Sequence, residues 1–390
     1  MDFELSNEQK RIQKSVREFM LKEVSPITDE IDRDDIFPSE LWKKMGTADI
    51  LGVNIAEEYG GCGYNLLTTA LVMEQMGRIS PAVALSVGAN INLCAHNLEK
   101  NATEKQKKKY LPGICSGDMI GCLGLTEPGA GSDAVGIQTT AEKKGEYFIL
   151  NGSKMFITNA PIADIALVYA KTEPEKGAHG ITAFLVEKGF EGFSVSKNIE
   201  KMGHRGSPTG ELIFNNCLVP VENVVGEVNQ GIKVMMRGLD IERTVVAAMA
   251  LGIGETALEL ALKYSKQRRQ FGEEICNFQL VKAKLADMYT EIEAAKYLVY
   301  RAAVLADKVQ NGGKGTEVHK VAAAAVLFTA EAVSRAVDQS LQIHGGYGYT
   351  LDFPINRFYR DAKLYEIGAG TSEIRRILIG NELIKHGLGY

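Results

Sequence analysis

Leu125-Thr-Glu-Pro-Gly-Ala-Gly-Ser-Asp133 packs a proline, two glycines and four hydroxyl or carboxylate side chains into nine residues. It sits where the chain changes from helical to strand character. Glycines let a ligand approach the backbone closely, and Thr126 and Ser132 add hydroxyls beside free N–H groups, a combination suited to a phosphate or a flat polar ring. A plain surface turn uses the same residues. Gly129 and Gly131 begin the dinucleotide pattern Gly-x-Gly-x-x-Gly, but position 134 is Ala. The loop also leads into β-rich sequence with no alternating βαβ pattern around it, so a nucleotide here is not held in the Rossmann manner.

Working outward, the chain reads as helices, then strands, then helices. Ser6 and Gln9 form a capping box ahead of Ile12, Val16, Phe19, Met20 and Val24 at helical spacing. Pro38 is expected to open a second short helix. Leu66–Met76 and Pro81–Leu98 read as buried helices, and Thr103 with Gln106 makes another capping box. After Gly117 short β-rich runs appear at 147–150, 155–158, 165–170, 181–186 and 211–214, with Asn151-Gly152 giving a hairpin signal. Helical periodicity returns near Gln230, in long segments around 230–266, 278–310 and 316–343. The expected fold class is α+β: an N-terminal helical domain (1–118), a middle β-barrel or β-sandwich-like domain (119–228) and a C-terminal four-helix bundle (229–390).

Composition narrows the function classes. A net charge of −5 without a basic arm argues against nucleic acid and anionic membranes as partners. No apolar run is read as membrane-spanning, and the acidic start, Met1-Asp-Phe-Glu4, has no signal-peptide core. The six cysteines form no CxxC and the six histidines no metal-ligand spacing, so no metal is expected and the thiols are expected to be reduced and buried. The Lys-rich stretch 105–109 reads as a solvated helix face.

Five motifs occur in order: Leu123–Ser132, Phe156-Ile-Thr-Asn159, Arg268-Arg-Gln-Phe-Gly272, Gln342-Ile-His-Gly-Gly346 and Gly370-Thr-Ser-Glu373. With the helix–strand–helix plan, the whole chain resembles the acyl-CoA dehydrogenase family. Leu239-Asp-Ile-Glu-Arg243, Ser207–Phe214 and Asp361–Arg376 are similar to its isovaleryl, short branched-chain, group. The resemblance implies non-covalent FAD between the β-domain and the C-terminal helices. Leu123, Leu125, Thr126, Gly131 and Ser132 would run along the flavin and pyrophosphate. Phe156, Ile157 and Thr158 would flank the ring; most members carry Trp at position 156, and Phe can still stack there. Thr371, Ser372 and Glu373 would complete the flavin contacts. Arg268, Gln279, Gln342, Ile343, His344, Gly345 and Gly346 match positions that reach the FAD of a neighbouring subunit, which implies a homotetramer built as a dimer of dimers; Gln270 and Phe271 are expected to be cofactor-binding as well. Taken singly, Arg268 could equally be a solvated helix cation and Gly345-Gly346 a helix stop.

The family's reaction removes an α-proton from an acyl-CoA thioester and passes the β-hydrogen to the flavin as hydride. It needs a carboxylate against Cα, raised in pKa by a dry pocket, and donors for the developing enolate oxygen. In many members the base is a Glu just before Gly-Thr-Ser, where this chain has Ala369. In the isovaleryl-type branch the base comes from an earlier helix, and Glu242 matches that position. By the same resemblance the Ala369 N–H would polarise the thioester carbonyl beside Gly370. Asp240 and Arg243 match CoA-side positions, as do Ser196 and Lys197, and Ser132 lies beside the substrate. Lys233 departs from a Tyr of the isovaleryl enzymes, which bears on the acyl group. The expected function is FAD-dependent dehydrogenation of a short branched or cyclic acyl-CoA, with electrons leaving through an electron-transfer flavoprotein. The expected location is bacterial cytoplasm, or mitochondrial matrix after loss of a transit peptide. A straight-chain butyryl-type enzyme, a flavin oxidase or monooxygenase, and a non-catalytic acyl-CoA-binding flavoprotein are the alternatives.

Overall fold

The computed structural model describes residues 4–310 and 317–388, the side chains at 237, 239, 240 and 310 excepted. Asp240 as a substrate contact, Thr316 as a helix start and the acidic segment 1–3 therefore lie outside the described residues.

Both capping boxes form: Ser6 and Gln9 reciprocally cap helix Asn7–Phe19, and Thr103 and Gln106 cap helix Glu104–Ser116. Helix Glu40–Thr47 follows Pro38 as expected, but an additional helix, Thr28–Asp34, precedes it. Helix Leu66–Ile79 is buried almost all round and continues after Ser80 into Pro81–Gly88 and a π-helical stretch, Ala89–Ala95.

The middle sheet contains β1 (Gly121–Gly124), β2 (Thr140–Lys144), β3 (Tyr147–Thr158), β4 (Ile165–Lys171), β5 (Ile181–Glu187), β6 (Phe193–Val195), β7 (Thr209–Pro220) and β8 (Val224–Val225). Their order is β6-β7-β3-β2-β4-β5-β8, with β1 parallel to β4. Strands β4 and β5 are covered on both faces, which is why they read as unbroken apolar runs. Ile165, Leu167 and Tyr169 pack towards the helices, while Ala166, Val168 and Ala170 pack into the sheet's own core. Asn151-Gly152 is not a hairpin turn, and the runs at 147–150 and 155–158 are one strand. The pair sits at a register shift between β3 and β7, where Asn151 Oδ1 accepts from the Asn216 N–H and a Cβ on Gly152 would collide with Thr139. The β2–β3 turn falls instead at Gly145, at φ 59°.

Helices Gly231–Gln267, Gln279–Gln310, Val318–His344 and Ser372–His386 make the C-terminal bundle. Small residues bring its backbones close. A Cβ on Gly252 would lie 2.2 Å from the Glu74 carbonyl, and one on Gly77 would lie 2.3 Å from that of Met249. The long helix is thereby seated directly on Leu66–Ile79. By length and composition it is apolar enough to cross a membrane, contrary to the sequence reading. Most of that stretch is buried among the other helices, the pattern of a core helix.

Candidate functional site

The loop after β1 is welded to the sheet by a buried charge pair. Glu127 and Ala130 exchange backbone hydrogen bonds across Pro128-Gly129, and the Met155 N–H donates to the Thr126 carbonyl at 2.8 Å. The Glu127 carboxylate accepts from the N–H groups of Gln138 (2.5 Å) and Thr139 (3.0 Å) and from Lys154 Nζ (2.6 Å). Lys154 is fully buried, and desolvation pushes its pKa down to about 8 against the pull of Glu127. Burial opposes the Glu127 charge too, but these donors outweigh it and hold the group below its usual range. Sequence reading missed Lys154; its inward register in β3 was the only available signal.

This anchoring leaves Leu123, Leu125 and Thr126 half-buried and Gly131 and Ser132 exposed. A Cβ on Gly129 or Gly131 would meet nothing within 4 Å, so the loop presents open space on its outer side. Beside it, β3 bulges between Lys154 and Ile157, and Phe156 is driven to φ 60° with its ring 64% exposed. A bulky residue at positive φ that also shows its ring to solvent is strained and uncovered at once, a pairing typical of ligand contacts. Thr158 is half-buried and Ile157 packs inward.

Glu242 lies in the second quarter of the long helix, only partly accessible. Burial pushes its carboxyl up to about 7, with Arg243 and Arg375 pulling the other way. Tyr169 of β4 is within electrostatic reach of Glu242 and has a buried hydroxyl with no hydrogen-bond partner. Arg375 belongs to the turn where this chain has Ala369: its guanidinium donates to the carbonyls of Tyr365 (2.7 Å) and Gly368 (2.6 Å). Ala369 and Gly370 follow at φ 55° and 89°, and Thr371 then caps helix Ser372–His386 by accepting from the Ile374 N–H. Ser372 is buried with an unpartnered hydroxyl, and Glu373 is exposed. Glu366 is tied to Ser334 and Lys363. The sequence reading passed over Arg375; adjacent arginines in a helix look like surface charge.

The expected CoA-side residues and the expected cross-subunit residues are placed as follows. Ser196 is bound into the sheet, accepting from the Glu211 N–H at 2.8 Å and donating to the Lys197 carbonyl, while the Lys197 side chain is exposed. Arg243 is buried. Arg268, Gln270, Phe271, Gln279, Gln342, Gly345 and Gly346 form an exposed tip, with Phe271 96% accessible and Arg268 over the Tyr347 ring. Ile343 and His344 turn inward there; His344 stacks on Tyr264 and bonds the Ser340 carbonyl. At 1.5 Å per residue, the helix from Glu242 to its end at Gln267 separates this tip from the carboxylate by about 37 Å. Among the described residues no group of histidine, cysteine or acidic side chains could hold a metal ion.

Family models for the N-terminal, middle and C-terminal domains of acyl-CoA dehydrogenases match residues 6–118, 122–217 and 229–384, and the chain belongs to this family of flavin-dependent oxidoreductases, which use FAD. Among its relatives, the mitochondrial isovaleryl-CoA dehydrogenase of Solanum tuberosum is 46% identical over 97% of this chain and 90% of its own length. The short-chain-specific acyl-CoA dehydrogenase of Clostridium acetobutylicum is 42% identical over 99% of this chain and 100% of its own. The solved butyryl-CoA dehydrogenase of Megasphaera elsdenii superimposes with a TM-score of 0.94 at 42% identity, covering 98% of this chain and 100% of that one. The residues present fit the cofactor: the open flank of Gly129 and Gly131, the uncovered ring of Phe156 and the orphan hydroxyl of Ser372 are places for a ligand of its kind.

Proposed function

We propose that this chain dehydrogenates a short branched or cyclic acyl-CoA between Cα and Cβ, with Glu242 taking the α-proton. The observation that carries the reading is Glu242 itself: a partly accessible carboxylate whose proton affinity is lifted to about 7, with Ala369 at the position many relatives give to Glu. A base that must remove a weakly acidic C–H near neutral pH works best with a pKa close to the medium. Ala369 sits in a strained turn at φ 55°; its backbone N–H would serve the thioester carbonyl, and the small Gly368 and Ala369 would leave room for branching near the reacting carbons. Leu123, Leu125, Thr126, Gly131, Ser132, Phe156, Ile157 and Thr158 would hold FAD from the sheet side, and Thr371, Ser372 and Glu373 from the helix side. Bound FAD supplies the two-electron acceptor for the β-hydrogen. Arg243, Ser196 and Lys197 support the CoA side, Lys197 and Arg243 by charge.

The tip bearing Arg268, Gln270, Phe271, Gln279 and Gln342–Gly346 cannot serve the same protomer's carboxylate across about 37 Å of helix. It is assigned to the flavin of a neighbouring subunit in a homotetramer, and electrons are expected to pass to an electron-transfer flavoprotein. The 42% identity to short-chain-specific and butyryl enzymes keeps a straight C4 chain as a second substrate reading. An anaerobic flavin-bleaching screen with isovaleryl-, 2-methylbutyryl-, cyclohexanoyl- and butyryl-CoA separates the two. Glu242→Gln is expected to retain FAD and lose bleaching with every substrate; bleaching by that variant would sink the assignment of the base.

A further inference from the structure

We infer that Arg375 is a positioning residue for this reaction, whose guanidinium fixes the Gly368–Gly370 turn within electrostatic reach of the Glu242 carboxylate. The inference rests on Glu242 and the Ala369 N–H having the roles proposed above. Arg375 is 1% exposed and stands in the first turn of helix Ser372–His386. That is an unfavourable place for a cation three times over. It is buried, it lies at the positive end of the helix dipole, and Arg243 is close enough to lower its pKa. Burial and then Arg243 push its pKa down to about 10, while Glu242, Glu331 and Glu366 oppose them. Nothing in helix stability calls for a charge here.

What Arg375 does make is local and specific. One arm of the fork donates to the Tyr365 carbonyl, the other to the Gly368 carbonyl, and Nε is buried without a partner. The two carbonyls end the short helix Leu364–Ile367, and the next residue, Ala369, is held at φ 55°, a conformation Ala does not keep unaided. A planar two-armed donor can fix such a turn; a lysine, with one centre of charge, cannot. The charges acting on Glu242 come from Arg243 on its own helix and Arg375 on the C-terminal helix, with the Tyr169 hydroxyl of β4 also in reach. Arg375 thus joins the base to the carbonyl donor although they stand 127 residues apart in sequence (369 − 242).

The two effects separate by substitution. Arg375→Gln removes the charge, and Arg375→Lys keeps it but loses the fork. The readouts are the pH dependence of kcat and kcat/KM for isovaleryl-CoA with an artificial electron acceptor, and an infrared titration of the Glu242 carboxyl in substrate-free holoenzyme, referenced to Glu242→Gln. Arg375→Gln is expected to move the Glu242 titration and the acid limb of kcat/KM alkaline, by roughly tenfold in proton affinity. It should also lower kcat by about 10- to 100-fold, the range for lost charged hydrogen bonds. Arg375→Lys should leave the titration in place and still lose about tenfold in kcat with little change in KM. If both variants melt lower but keep the wild-type titration and kcat within twofold, Arg375 is a structural residue and the inference falls. Should Arg375→Gln fail to fold, an Arg375→Lys enzyme with unimpaired kcat overturns it alone. Loss of the base assignment gives a different pattern: Glu242→Gln stays active whatever the Arg375 variants do.

Discussion

At the scale of the residue, Glu242 weakens the fold. Its carboxyl binds a proton more tightly in the native protein, at about 7, than in the unfolded chain, near 4.5. Below pH 4.5 both states are protonated and the group is neutral to stability. As pH rises from about 4.5 to about 7 the native state loses stability relative to the unfolded one, because the unfolded chain ionises first; above about 7 both are ionised and the loss is complete. The full shift is worth roughly 3 kcal/mol at about 1.36 kcal/mol per unit. Glu242→Gln is therefore expected to raise the melting temperature of substrate-free protein at pH 8 and leave it nearly unchanged at pH 4.5, by parallel thermal melts. An equal rise at both pH values would show that packing, not ionisation, is responsible. The same group predicts that kcat/KM climbs with pH through about 7, since the base must be ionised to act.

At the scale of the element, the β1–β3 corner depends on Lys154. Removing one partner of a buried ion pair leaves the other charge uncompensated, so Lys154→Met should cost about 3–5 kcal/mol in denaturant unfolding and weaken FAD retention. A loss under 1 kcal/mol would mean the Glu127 backbone contacts suffice. This corner also shows what a sequence displays. The capping boxes at Ser6 and Thr103 were legible because all their partners lie within three residues. The order of helices and strands was legible from periodicity; Phe156, Glu242 and Ala369 were singled out by resemblance alone. Asn151-Gly152 misled because its turn propensity was overridden by pairing with β7, over 60 residues away. Lys154 and Arg375 were missed because a lysine in a strand and an arginine in a helix read as surface; only the distant Glu127 and the carbonyls of Tyr365 and Gly368 explain their burial. Helix Thr28–Asp34 was missed for a local reason: its N-cap is Ile27 and no side chain caps it.

At the scale of the whole molecule, apolar side chains remain uncovered around the tip of the C-terminal domain: Phe271 at 96%, Leu280 at 80%, Tyr349 at 83% and Leu351 at 81% exposure. Large hydrophobics gathered in this way mark a surface that another chain covers, in keeping with the proposed tetramer. The rigid connection between this tip and Glu242 is the long helix, clamped to its neighbour by Gly77 and Gly252.

In the proposed tetramer that helix would carry two halves of different catalytic centres, as one rod with a working end and a working middle. Damage to either half is then complementable in trans. Glu242→Gln and Arg268→Ala homomers should each be impaired, yet co-expressed chains should recover activity. In a mixed pair one centre receives an intact Glu242 from one chain and an intact Arg268 from the other, while the second centre receives neither. With random pairing, about one site in four is whole. Activity measured on purified mixed oligomers, against the two homomers mixed after folding, reads this directly. If the mixed oligomers do no better than the parents, each chain owns its centre outright.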